Sequence, residues 1–291
     1  MPALAILGPG AIGAFIAAAV ARDGTPVTVI GREPTVALIE QHGIHVESPR
    51  FGPFDAQVSA VRKLTDEAEV LVIATKAPQL EAALDRIEAE PKTVVPLLNG
   101  IDHVERLRRR FACPVLAGTI NAQTYKDGPT TVVHRLDLAR VTVAAPGHMG
   151  LEKMLRRAGF DIGSHVDETT LLWRKLARLA SLALATAAAG KELGDVRADA
   201  YAVAAEAVPV AQAEGADVEL EQILEELRGL GDSSSSSLRV DVDAGAHETE
   251  LEAISGPIVR GAAQHGLECP NVQRLAATIE GRIDRPGYPN D

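Results

Sequence analysis

Apolar residues in the first half of the chain fall into short, nearly continuous runs separated by helix-length stretches. Ala3–Leu7 (ALAIL), Pro26–Ile30 (PVTVI), Val70–Ala74 (VLVIA) and Val94–Leu98 (VVPLL) are such runs. Strands buried on both faces of a parallel sheet have this pattern. Between them Ala11–Asp23, Pro34–His42 and Gln79–Glu90 read as helices, and Val115–Ile120 can extend the series. Repeated strand–helix–strand units predict a doubly wound α/β domain with right-handed crossovers. Around Thr124–Ala145 the texture changes to short β-prone pieces, TTVVH and RVTVAA, which can form an antiparallel edge on the parallel sheet. From Glu168 onward the β pattern stops. Leu171–Ala189, Ala198–Glu214, Leu220–Leu230, Glu248–His265 and Asn271–Ile283 read as helices. The expected division is an α/β domain over 1–165 and an all-α domain over 166–291. Asp232–Ser237 (DSSSSS) reads as a polar loop between helices, and Arg285–Asp291 as a disordered end.

Composition narrows the partners. The chain has 291 residues, 46% of them apolar and only 3% aromatic, so its core is built mainly from Ala, Leu, Val and Ile. A formal net charge of −11 argues against a general nucleic-acid or anionic-membrane binder, which usually needs a basic face. It leaves room for a local cationic pocket. Two cysteines, Cys113 and Cys269, make neither a disulfide framework nor a zinc site and suit a reducing compartment. No apolar run reaches the roughly 20 residues that span a bilayer. The apolar start imitates a signal peptide but lacks its positively charged first region. A cytoplasmic protein of two domains is the expectation, with no nucleic-acid or membrane partner.

Gly8-Pro9-Gly10-Ala11-Ile12-Gly13 follows the first strand and opens the first helix. In that context GxGxxG marks a dinucleotide site. Gly8 allows the tight turn, Gly10 lets backbone approach the pyrophosphate, and Gly13 lets helix and strand pack closely. The amides of Ala11, Ile12 and Gly13 lie at the positive end of the helix dipole. The second strand ends in Gly31-Arg32, without the carboxylate that usually accepts from a ribose 2′-hydroxyl. Arg32 suits a 2′-phosphate, so NADP(H) is the expected cofactor. Glu33 follows at once and is the rival, as acceptor of a ribose hydroxyl. Lys76 and Asn99 stand just past two further strands, where open α/β sheets bind ligands. Lys76 can add a second cation near the adenosine phosphate, and Asn99 can reach the nicotinamide ribose or the substrate.

These motifs, with LWRKL at 172–176, TELEAISG at 249–256 and SSSSSLRVDVDAG at 233–245, occur in an order and spacing that resembles the ketopantoate reductase family (2-dehydropantoate 2-reductases). The resemblance spans nearly the whole chain. It implies a Rossmann-type domain followed by a helical one, with the substrate between them. It further implies NADPH as hydride donor and reduction of 2-dehydropantoate to pantoate, a step toward pantothenate. By the same resemblance Lys175 protonates the nascent alkoxide, Glu250 holds substrate hydroxyls, and Ser237 or a neighbour binds the substrate carboxylate. Arg32 and Lys76 match the 2′-phosphate pair, and Asn99 the asparagine near the nicotinamide.

Two departures bear on the substrate. Where many members carry asparagines four and eight residues after the lysine, this chain has Leu179 and Ala183. The segment between Asp241 and Glu250 is one residue longer. The expected ligand is a small 2-oxo acid. Reduction of a different 2-oxo acid and a non-catalytic NADP(H) sensor are the competing readings. Helical second domains of this type often pair, so a homodimer is the oligomeric expectation.

The residues also argue for Lys175 directly. It sits in LLWRKLARLASLALA, the most apolar helix of the second half, where an unpaired charge is expensive. Its rival is Arg174 or Arg178 in the pocket with Lys175 at the surface, although Arg174 lies about 100° round the helix. Glu248 and Glu252 flank Glu250, and on a helix only one of the three faces the site. His134, His247 and His265 show no metal-ligand spacing.

Overall fold

The computed structural model describes residues 2–144, 149–164 and 167–284. The chain divides into two compact units, Met1–Leu98 with His103–Glu168, and Asn99–Asp102 with Thr169–Asp291. The expected disordered end at Arg285–Asp291 lies outside the described residues.

The first unit begins β1 (Leu4–Leu7), α1 (Ala11–Arg22), β2 (Val27–Ile30), α2 (Glu33–His42), β3 (Ile44–Glu47), β4 (Phe54–Ala56) and β5 (Ser59–Val61). It continues with β6 (Val70–Ile73), α3 (Leu80–Leu84), β7 (Val94–Pro96), α4 (His103–Arg110), β8 (Gly118–Lys126), β9 (Thr131–Val143), α5 (Met149–Arg157) and β10 (Asp161–Ser164). One five-stranded sheet has the order β5-β2-β1-β6-β7, parallel throughout. This is a Rossmann-type order, with its switch point between β1 and β6. Every residue of β1 and β6 is buried, which is why both read as unbroken apolar runs.

The region expected to be an antiparallel edge forms instead the middle of a second sheet. There β9 pairs antiparallel with β8 and parallel with β3 and β10, while β3 takes β4 as its antiparallel neighbour. The thirteen residues of β9 are long enough to template β3 at one end and β10 at the other. The expected helix Gln79–Glu90 also stops early, at Leu84. Its continuation is diverted into sheet-like pairing, with Leu64 N–H donating to Arg86 O and Glu88 N–H to Leu64 O.

Three of the five phenylalanines meet against α1. Phe15 is fully buried, with ring centroids of Phe51 and Phe160 at 5.6 and 5.4 Å and the His134 imidazole at 4.6 Å. His134 is fixed by the Ser48 hydroxyl and the Leu138 carbonyl, a structural role.

The second unit holds α6 (Glu168–Ala189) from Thr169 onward, α7 (Leu193–Ala213), α8 (Leu220–Arg228), α9 (Ser237–Asp243), α10 (Leu251–His265) and α11 (Pro270–Ile283). Its core is mostly Ala, Leu, Val and Ile around Trp173. Of the hydroxyls buried in α6, Ser181 donates to Ala177 O and Thr186 to Leu182 O within the helix, while Thr170 Oγ1 accepts from Asp217 N–H. Among the described residues no helix is long and apolar enough to cross a membrane.

Candidate functional site

The loop after β1 is shaped by its glycines. Gly8 has φ +94°, and a Cβ on it would lie 2.7 Å from Thr75 Cγ2 in the loop after β6. A Cβ on Gly13 would fall 2.1 Å from the Gly8 carbonyl, so the strand–helix spacing itself depends on this glycine. At Gly10 the nearest atom to such a Cβ is 4.0 Å away, which leaves the approach to the helix open. Gly10 is the N-cap of α1 and offers no side-chain cap. The first helical bond runs from Ala14 N–H to Gly10 O, so the amides of Ala11, Ile12 and Gly13 precede it. The Thr75 hydroxyl is buried beside Gly8 and has no hydrogen-bond partner. An open anion cradle with an orphaned hydroxyl beside it fits a dinucleotide pyrophosphate. Replacing Gly13 by Ala is expected to cost about 1–3 kcal/mol of stability. Thermal denaturation and nucleotide titration check this, and an unchanged Tm contradicts it.

At the end of β2, Arg32 is exposed and its guanidinium pairs with no carboxylate among the described residues. Glu33, its rival, is engaged by Arg62, whose Nε lies 2.9 Å from Glu33 Oε2. Lys76 follows β6 at the mouth of a short 3-10 turn and is part-buried. Lys126 was not apparent from the sequence. Its Nζ bonds the carbonyl of Pro9, inside the glycine loop, at 3.4 Å and also the carbonyl of Pro129. Burial lowers its pKa. It stands 117 residues from Pro9, so no local pattern marks it.

A second cluster lies wholly in the helical unit. Asn99–Asp102 clusters with that unit, and Gly100 (φ +83°) has room only for hydrogen, since a Cβ would meet Ala253 O at 2.6 Å. This close approach to α10 sets Asn99 beside Glu250, with Nδ2 donating to Oε2 at 2.9 Å. Glu250 is the N-cap of α10 and is 6% exposed, whereas Glu248 and Glu252 are exposed. Arg260 holds Glu252 and Asp102. Lys175 is part-buried on α6. Burial, the largest influence, and the Arg178 charge depress its pKa, Glu250 partly restores it, and the result is about 8. Arg174 points elsewhere, bonding Glu226 through Nε and Nη2 at 3.0 and 2.6 Å, and Arg178 joins the same carboxylate at 3.3 Å.

One face of α6 runs from Lys175 through Leu179 and Ala183 toward Thr186. The Thr186 hydroxyl meets that of Ser236 at 3.0 Å, and Ser236 Oγ also caps α9 by accepting from Arg239 N–H. Ser236 is thus buried and committed, while Ser237, the first residue of α9, is exposed. Of the other candidates, both cysteines are free thiols, with Cys113 pushed up to about 11 mainly by burial. His265 pairs with Glu214 at 2.8 Å.

The family model "Ketopantoate reductase PanE/ApbA" matches residues 4–148, and its C-terminal counterpart matches residues 168–282. A 2-dehydropantoate 2-reductase of Mycobacterium tuberculosis is 29% identical over 299 residues, covering 98% of this chain and 99% of the relative. A PanE/ApbA family ketopantoate reductase from Ralstonia eutropha JMP134 superposes with a TM-score of 0.86 at 24% identity, covering 97% and 98% of the two chains. D-Mandelate dehydrogenase with NADH and anilino(oxo)acetate gives the same TM-score at 19% identity and the same coverage, a likeness of fold. The matched segments take in nearly the whole chain, and the protein belongs to the ketopantoate reductase family, NADPH-dependent oxidoreductases that act on CH–OH groups.

Proposed function

We propose that this chain reduces 2-dehydropantoate to pantoate, with residues 1–165 binding NADPH and residues 166–291 supplying the substrate and catalytic groups. The observation that carries this reading is the buried Glu250 carboxylate, held by Asn99 Nδ2 at 2.9 Å at the start of α10, with Lys175 of α6 within reach of its charge. When bound, NADPH supplies the hydride. The glycine loop and the amides of Ala11, Ile12 and Gly13 hold the pyrophosphate, and Arg32 and Lys76 hold the 2′-phosphate. Reduction places negative charge on the substrate oxygen, and Lys175 Nζ delivers the proton there. A lysine with its pKa near neutrality gives up that proton more readily than one at the ordinary value. Glu250, oriented by Asn99, accepts from the substrate hydroxyl and keeps Lys175 mostly protonated at neutral pH. Ser237 offers its hydroxyl to the carboxylate, since that of Ser236 is already used. A homodimer in the cytoplasm completes the proposal.

A second reading has a specific observation behind it. Leu179, part-buried one turn along α6 from Lys175, gives that face an apolar surface where an amide would offer hydrogen bonds, while Ala183 is fully buried in the helical core. That surface suits a more apolar 2-oxo acid. NADPH oxidation with 2-dehydropantoate and a panel of branched and aromatic 2-oxo acids separates the two. Turnover highest with 2-dehydropantoate supports the first, and turnover confined to another member of the panel replaces it with the second. Arg32→Ala is expected to weaken NADPH about ten- to a hundredfold more than NADH, the loss of a charged hydrogen bond. Fluorescence titration with both nucleotides checks it, and equal losses contradict the 2′-phosphate role.

A further inference from the structure

The carboxyl ends of β2 and β5 carry positive charge beyond Arg32. Arg62 comes directly after β5 and holds Glu33, while Lys63 bonds Glu88 at 2.5 Å. Arg86 follows α3, and its Nη1 bonds the carbonyls of Gly31 at 3.4 Å and Arg62 at 3.5 Å. It therefore ties the two strand ends together, and among the described residues no carboxylate pairs with it. Arg62, Lys63 and Arg86 line a cavity of about 460 Å³. That size lies in the range of small-molecule pockets, about 300–1,000 Å³.

Glu33 is the first residue of α2, three positions past the end of β2. Left to itself, a carboxylate there accepts from a ribose diol and repels a phosphate on the same ribose. Its pair with Arg62 is exposed on both sides, 70% and 63%, so it adds little to stability. Its effect falls instead on what the strand end presents to a ligand. Arg62 directs the Glu33 carboxylate toward β5 and offsets its charge.

We infer that Arg62 determines cofactor choice by withholding Glu33 from the ribose, and that Arg62 and Arg86 extend the positive surface that Arg32 begins. Arg62 acts partly through Glu33 and is a positioning residue as well as a source of charge. The inference rests on the end of β2 being the adenosine-phosphate site.

The test is a cycle of Arg62→Ala, Glu33→Gln and the double variant, with NADPH and NADH titrated by fluorescence. Arg62→Ala is expected to lower the NADPH-to-NADH affinity ratio about tenfold, the worth of one charged hydrogen bond. Part of that change is tighter NADH binding, and adding Glu33→Gln removes this part. A ratio unaffected by Arg62→Ala overturns the inference, as does an NADH gain that survives Glu33→Gln. Glu33→Gln alone keeps the ratio at or above that of the parent, and a fall overturns the inference without relying on the arginine variant. A ratio that responds to Arg32→Ala but not to Arg62→Ala overturns this inference alone. A ratio that ignores Arg32→Ala as well overturns the site reading beneath it.

Discussion

Lys175→Met is expected to lower kcat for 2-oxo acid reduction by about 10²–10⁴-fold, the usual worth of a positioned general acid. Methionine keeps most of the side chain's length and apolar body while removing the proton, so α6 retains its packing. NADPH binding is expected to stay within about twofold, because the proposed cofactor contacts come from other residues. Single-turnover kinetics and a nucleotide titration read the two effects separately. The parent enzyme adds a second signature. Its acid form exists below a pKa of about 8, so the rate of reduction falls as pH rises through that value. The methionine variant loses this alkaline limb along with the rate. A variant that keeps most of its turnover, or keeps the limb, removes Lys175 from the role of proton donor.

Glu250→Gln is expected to raise KM for the oxo acid about ten- to a hundredfold and to move the alkaline limb to lower pH. The sign follows from the charges around Lys175. Glu250 raises the lysine's pKa, while burial and Arg178 lower it. Removing the carboxylate's charge leaves the lowering influences unopposed, so the lysine loses its proton at a lower pH than in the parent. Glutamine still accepts from Asn99 Nδ2, which keeps the local geometry. Glu250→Ala instead leaves the part-buried Asn99 amide without this acceptor, at a cost of about 1 kcal/mol. The two variants together separate charge from structure. A limb that stays in place in the glutamine variant contradicts the electrostatic coupling of the two residues.

Four strands of the parallel sheet were legible in the sequence because β1, β2, β6 and β7 are short apolar runs, while the three-residue edge strand β5, with one buried residue, carries no such run. The glycine loop was legible for a related reason, since three backbone demands fall within six residues. The second sheet was not. Its register depends on β9 meeting β3 and β10 from distant parts of the chain, and short alternating pieces do not specify their partners. The early stop of α3 has the same origin, a tertiary pairing of Leu64 with residues 86–88 that outweighs helical periodicity.

The candidate site follows strand ends and a helix face where sequence alone suggested it, and depends on long-range pairing where sequence alone did not. Periodicity left Glu248, Glu250 and Glu252 as competitors. The structure separates them because α10 begins at Leu251, Glu250 turns inward as its N-cap, and Arg260 holds Glu252 outside. Arg32 stood out beside the second strand, but its setting did not. Arg62, Arg86 and Lys126 gain their meaning only from the backbone carbonyls and the carboxylate they meet across the fold. The net charge of −11 likewise hid a positive corner at the ends of β2 and β5.

In the proposed reaction Lys175, beside the buried Glu250, donates the proton in an NADPH-dependent reduction of 2-dehydropantoate. The most direct test is the pH dependence of kcat for that reaction, compared between the parent enzyme, Lys175→Met and Glu250→Gln. Proton donation by Lys175 gives a single alkaline ionisation near pH 8 in the parent, its loss in the methionine variant and its displacement to lower pH in the glutamine variant. A parent profile that is flat through pH 8, or an ionisation that persists without Lys175, would contradict it.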